Sequence, residues 1–91
     1  KQSYPRDATV PLNLSASYTQ LGKFAKAEEN ARLAINLEPE VFFSHANLGK
    51  SLNRQSRFAE AKAVFEDAER RGFDSTQINT GLFTAAFALG D

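Results

Sequence analysis

Residues 14–39, LSASYTQLGKFAKAEENARLAINLEP, decide how the rest of the chain is read. Two stretches with apolar residues at helical spacing flank a tight turn at Leu21-Gly22-Lys23. Moved on by 34 residues, the same skeleton returns: Leu14 falls on Leu48, Ser15 on Gly49, Phe24 on Phe58, Ala27 on Ala61 and Ala34 on Ala68. A further step carries Leu48 onto Leu82 and leads from Gly22 through Ser56 to Gly90. A fixed period of this length marks stacked helix hairpins, each leaving an apolar side for its neighbour to cover.

The period sets the boundaries of a single array domain over residues 1–91. Residues 8–41 form repeat 1, residues 42–75 repeat 2, and residues 76–91 the first helix of repeat 3. Pro5 lies 34 residues before Pro39, so residues 1–7 read as the tail of a preceding repeat. With Lys rather than Met at position 1, the chain reads as a piece of a longer protein.

Five helices follow, over Thr9–Gln20, Phe24–Leu37, Val41–Gln55, Phe58–Arg71, and from Ser75 or Thr76 to Leu89. Asp7 or Thr9 is placed to cap the first, and Pro11 falls in its first turn, where a missing N–H does no harm. Gly22 and Gly72 stop helices because glycine takes the left-handed conformation readily, and Ser56 is a weaker stop in the same place. Pro39 steers the residue before it away from helix. The packing stripes are Val10, Leu14, Tyr18 and Leu21 in the first helix, then Phe24, Ala27, Ala31, Ala34, Ile35 and Leu37 in the second. Phe42, Leu48 and Leu52, with His45 beside them, serve the third, and Phe58, Ala61, Val64, Phe65 and Ala68 the fourth. The small residues at Ala27, Ala34, Ala61 and Ala68 let helices approach closely.

Eleven basic residues balance eleven acidic ones. That argues against a general electrostatic grip on nucleic acid and equally against an anionic membrane surface. No apolar run is long enough to span a bilayer, and no signal peptide is evident. The absence of cysteine excludes a disulfide framework and fits a reducing compartment, so a cytoplasmic location is expected. A metal site needs several ligands at suitable spacing, and one histidine with no cysteine does not supply them. His45 instead occupies a bulky packing position. The carboxylates Glu28, Glu29, Glu60, Glu66, Asp67 and Glu69 interleave with Lys and Arg as on a solvated helix face. No serine has a base to activate it, and no glycine loop is built to cradle phosphate. The chain is expected to be no enzyme and to need no cofactor.

These residues resemble the tetratricopeptide repeat, a 34-residue helix hairpin. Repeat 1 matches its pattern at Leu14, Ser15, Tyr18, Ala27, Ala34 and Pro39, and departs at Pro11 and Ala31. Repeat 2 matches at Leu48, Gly49, Ala61, Phe65 and Ala68, with Leu52 for the aromatic and Phe73 for the proline. The third unit matches at Leu82 and has Phe83 for the small residue. The resemblance implies an all-α, α-α superhelix of about two and a half repeats, and a protein or peptide partner held in a concave groove lined by the first helix of each repeat. The groove positions it implies are Thr9, Leu12, Ala16, Thr19 and Gln20, then Phe43, Ala46, Lys50, Asn53 and Arg54, then Gln77, Thr80, Thr84, Phe87 and Ala88. Some members of the family clamp a chaperone's C-terminal carboxylate. At the matching positions this chain has Leu12, Ala16, Asn47, Gln77 and Gly81, and only the asparagine fits. The two ends of the chain are also similar to long arrays appended to bacterial signalling proteins, including Ser/Thr kinases.

The candidate peptide-binding residues are therefore Phe43, Asn47, Lys50, Asn53 and Arg54, with Gln20 and Phe87 on the flanking helices. Lys50 and Arg54 stand four apart on one helix face and suit a carboxylate or phosphate, which Arg holds bidentately. The fifth helix is apolar on more than one side. Ile78, Leu82, Phe83 and Phe87 on it are candidates for self-association into a homo-oligomer. The alternative to a binding module is a structural spacer that associates through its ends.

Overall fold

The computed structural model describes residues 7–73 and 75–90. The stretch KQSYP, read as the tail of a preceding repeat, lies outside the described residues. The fold is all-α, with α1 (Thr9–Gln20), α2 (Phe24–Leu37), α3 (Phe42–Arg54), α4 (Phe58–Arg70) and α5 (Thr76–Leu89). No helix among the described residues is long and apolar enough to cross a membrane.

The 34-residue period is visible in the turns as well as in the helices. Gly22, Ser56 and Gly90 all take positive φ, at 77°, 63° and 82°. After α1, the Lys23 N–H donates back to the Tyr18 carbonyl at 2.9 Å; after α3, Arg57 donates to Leu52 at 2.9 Å. The Gly22, Ser56 and Gly90 amides donate to Thr19, Asn53 and Phe87 at 3.0–3.1 Å. These partners are each 34 residues apart, so one left-handed cap geometry is repeated along the chain. Ser56 adopts it without being glycine, the strained position that the sequence marks as the weaker stop. At the other ends, Asp7 Oδ1 accepts from the Thr9 N–H at 2.9 Å, and Ser75 Oγ accepts from the Ile78 N–H at 3.3 Å. α2 stops at Leu37, and Glu38 is extended ahead of Pro39.

Consecutive helices pack side by side from α1 to α5. In addition α1 touches α3, and α3 touches α5. Ala27, Ala31, Ala34, Ala61 and Ala68 are fully buried, as close helix approach requires. His45 is buried too. Its Nε2 donates to the Pro39 carbonyl at 2.8 Å, since a carbonyl can only accept, and its ring lies 5.2 Å from Phe73. The histidine thus ties the start of repeat 2 to its end.

The tightest contact belongs to Phe65 of α4. Its ring lies in a slot between α3 and α5 floored by Gly49 and Gly81. A Cβ built on either glycine would collide with the tip of the ring at Cζ, Cε1 and Cε2, so both positions must lack a side chain for the three helices to meet as they do.

Two expectations are corrected here. The α1 stripe Val10, Leu14 and Leu21 points outward, and the buried residues are Ala8, Pro11 and Ser15. The reason is the absence of a helix against that flank among the described residues. Leu14 is 40% exposed, while its equivalent Leu48 is 4% exposed, because α2 lies against α3. Ile78 is also misassigned to the open side of α5: it is fully buried in the core cluster with Phe65 and Ala61.

Alanine favours helix over glycine by about 1 kcal/mol. Gly81→Ala is nonetheless expected to destabilise the chain by about 1–3 kcal/mol, through overpacking against Phe65. Urea unfolding of Gly81→Ala, Phe65→Leu and the double variant checks this. The smaller ring partner should recover part of the loss, whereas simple additivity would mean the two sites do not meet.

Candidate functional site

The charged residues are divided between the two kinds of helix. α1 and α5 carry none, and α3 carries only Lys50 and Arg54. The acidic residues of the helices are all on α2 and α4. Neither Lys50 nor Arg54 pairs with a carboxylate among the described residues. Arg54 instead holds its guanidinium 5.6 Å above the Phe24 ring, a contact that positions the group without neutralising it.

Both cations line a cleft of about 460 Å³ between α3 and α5. One wall is Ala46, Asn47, Lys50, Asn53 and Arg54; the other is Thr76, Gln77, Thr80, Gly81 and Thr84; Phe65 contributes from α4. No acidic residue lines it. Asn53 Nδ2 donates to the Gly81 carbonyl at 3.2 Å and links the walls. Its Oδ1 is buried and has no hydrogen-bond partner. A buried acceptor left unsatisfied is costly, and this one sits on a residue that lines the cleft.

Of the residues singled out from sequence, Asn47, Lys50, Asn53 and Arg54 come together in this cleft. Gln20, Phe43 and Phe87 lie outside it. The Phe43 ring lies tilted against Phe42 at 4.2 Å, and Phe87 stacks on Phe83 at 6.1 Å. Phe83 and Phe87 are 69% and 75% exposed, and Leu82 is half-buried. The α5 wall was legible in part, since Gln77, Thr80 and Thr84 hold groove positions of the family pattern. The contribution of Phe65 was not, because its spacing marks it only as part of its own hairpin's stripe.

Residues 12–41 match the family model of the tetratricopeptide repeat. That stretch is a tetratricopeptide repeat. Over 63 residues, 69% of its length, it is 32% identical to a protein O-mannosyl-transferase of Caenorhabditis elegans, of which it spans only 9%. Among solved structures, the first TPR of Spaghetti (RPAP3), bound to the HSP90 peptide SRMEEVD, superposes with a TM-score of 0.87 at 24% identity. That match covers 96% of this chain and 69% of the other.

Outside the cleft, Glu28, Glu60 and Asp67 are held in ion pairs. Glu28 of α2 accepts from Arg57, just before α4, at 2.6 Å, from Arg32 at 3.0 Å and from Gln55 at 3.1 Å. Arg57 also reaches Glu60 at 2.6 Å, and Asp67 pairs with Arg71 at 2.7 Å. The Glu28 network joins the second helix of repeat 1 to the turn inside repeat 2. Burial alone pushes the Glu28 carboxyl up, and the hydrogen bonds from Gln55, Arg32 and Arg57 more than reverse it, leaving it below the usual range.

A carboxyl whose folded-state pKa is lowered stabilises the fold above its unfolded value, about 4.3, and that contribution disappears as pH falls through the folded value. Glu28→Gln should therefore cost about 1 kcal/mol at pH 7, a modest figure because the arginines are partly open to solvent. The gap from the parent chain should narrow as pH drops below about 4. Thermal unfolding of both chains from pH 7 to pH 3 measures it.

Proposed function

We propose that the chain is a protein-interaction module that holds a segment of a partner protein along the face formed by α1, α3 and α5. The observation that carries this reading is the cleft itself. It combines two cations with no ion pair among the described residues and a row of hydroxyl and amide side chains on helices that otherwise bear no charge. Such a surface meets the needs of a peptide backbone, which must find partners for its own N–H and C=O groups. The helix order supports it, since α3 touches both α1 and α5 while α2 and α4 do not touch, which curves the stack toward the cleft side. The peptide bound by the first TPR of Spaghetti (RPAP3) supports it by analogy of fold.

The parent protein would use this array to recruit or position a partner, inside a bacterial signalling protein or another host. A second reading, a spacer that associates with its own kind, is favoured by the exposed Phe83–Phe87 stack on α5. It predicts a mass above that of a monomer by light scattering.

The two readings separate with Lys50→Glu/Arg54→Glu, which reverses the charge of the cleft without touching the core. Affinity capture from cell extract should lose the partner by tenfold or more under the binding reading. Unchanged capture, with the mass also unchanged, would leave the spacer standing.

A further inference from the structure

We propose that two copies of the chain pair through α5, antiparallel about a two-fold axis, with Phe83 of one copy seated against Ala86 of the other and Leu82 against Phe87. The pairing rests on the self-association reading above, to which it gives a surface and a geometry, and is independent of the binding reading.

The first support is where α5 puts its large and small residues. In α1 and α3 the small Ser15 and Gly49 are followed three positions on by the large Tyr18 and Leu52. At the equivalent places α5 has Phe83 and Ala86, so large and small are exchanged. Gly49 is bare because α4 lies over it: a Cβ there would strike the Phe65 ring. Ser15 is likewise fully buried on α1. Phe83 is instead largely exposed, and a helix laid on α5 as α4 lies on α3 would meet a whole ring where α3 offers none. This face is shaped for a different occupant from a second helix like α4.

The second support is that the face complements itself. Leu82, Phe83, Ala86 and Phe87 recur at helical spacing and form one stripe. Turned end for end about a point midway between 83 and 86, the stripe maps onto itself, so that 82 meets 87 and 83 meets 86. Each Phe83 ring then enters the notch at Ala86, a large residue against a small one, as Phe65 lies against Gly49 within the chain. The Phe83 and Phe87 rings already brace each other at 6.1 Å, so less side-chain freedom is lost on docking.

The third is charge and area. α5 carries no charged residue, so two copies of it meet without setting like charges against each other. Phe83 and Phe87 are 69% and 75% exposed. An aromatic side chain fully covered loses about 150–250 Å² to its partner, so these two withdraw roughly 200–350 Å² per copy. Doubled, and with the half-buried Leu82 and Ala86 added, that stays under the ~1,200 Å² of a lasting interface, so the pair is weak and forms with concentration. None of the four residues lines the α3–α5 cleft, so a pair offers two clefts at once.

The test is sedimentation equilibrium of the chain from about 1 µM to about 1 mM, over which a weak pair moves from monomer to dimer mass. Phe83→Glu/Phe87→Glu, both on open surface, should hold the mass at that of a monomer with unchanged helical circular dichroism. Ala86→Leu closes the notch with the residue type that α3 carries at Leu52, and should weaken pairing about tenfold or more. Lys50→Gln/Arg54→Gln should leave pairing unchanged. In a mixture of isotope-labelled and unlabelled chain, isotope-filtered NOEs should join the Phe83 ring of one copy to the Ala86 methyl of the other. Association that climbs past a dimer, survives Phe83→Glu/Phe87→Glu, ignores Ala86→Leu or lacks those NOEs would overturn the α5 pairing and leave self-association to another face. A monomer throughout would overturn both, leaving the α5 face to a different occupant and the binding reading untouched.

Discussion

The whole structure depends on how closely α3 can be approached. It is the one helix with a neighbour on every packed side, touching α1, α2, α4 and α5. Beside the larger His45, Leu48 and Leu52, four of its buried positions are small, Ser44, Ala46, Gly49 and Ser51. The Phe65 ring then has a slot in which to lie, completed from the other side by Gly81. A large ring pressed against two bare stretches of backbone fixes the spacing of α3 and α5. Close-packed interiors transmit such spacing rigidly, so the width of the cleft beside the ring follows from the packing of the core.

Charge follows the same division. The second helices of the hairpins carry all the helical acids, of which Glu28, Glu60 and Asp67 are paired, with Glu28 drawing in groups from two repeats. The first helices carry almost nothing charged, and what they carry is positive and without an ion pair among the described residues. A chain with no net charge therefore presents a local field where α3 and α5 meet. Such a field is felt most in a cleft with low-dielectric walls.

Much of this was legible in the sequence. The turns announce themselves through Gly22, Ser56, Gly72 and Pro39, and the 34-residue period placed the helices to within a residue or so, because cap geometry is a local matter. Burial is not local. Leu14 and Leu48 hold the same place in the pattern, yet one is open and the other covered, because coverage depends on which helix comes next. Ile78 was read as part of an open face for the same reason, when α4 in fact covers it. The cleft was half legible. Lys50, Asn53 and Arg54 share one face of one helix, which spacing reveals, and Asn47 lies close by. That Phe65 would reach between Gly49 and Gly81 required knowing how three helices meet. The unsatisfied Asn53 Oδ1 depends on a single hydrogen bond to a backbone 28 residues away.

Stacking of incomplete hairpins, with α3 held from both flanks, is most directly measured by native-state hydrogen exchange resolved to single amides. Local opening in a stack costs most where an element has neighbours on both sides. The slowest amides should lie in α3 and in the part of α4 around Phe65, with α1 and α5 opening earlier and independently of each other. If α3 exchanged as readily as α1 or α5, its neighbours would not be what holds it, and the close approach around Phe65 would not be the constraint on which the fold depends.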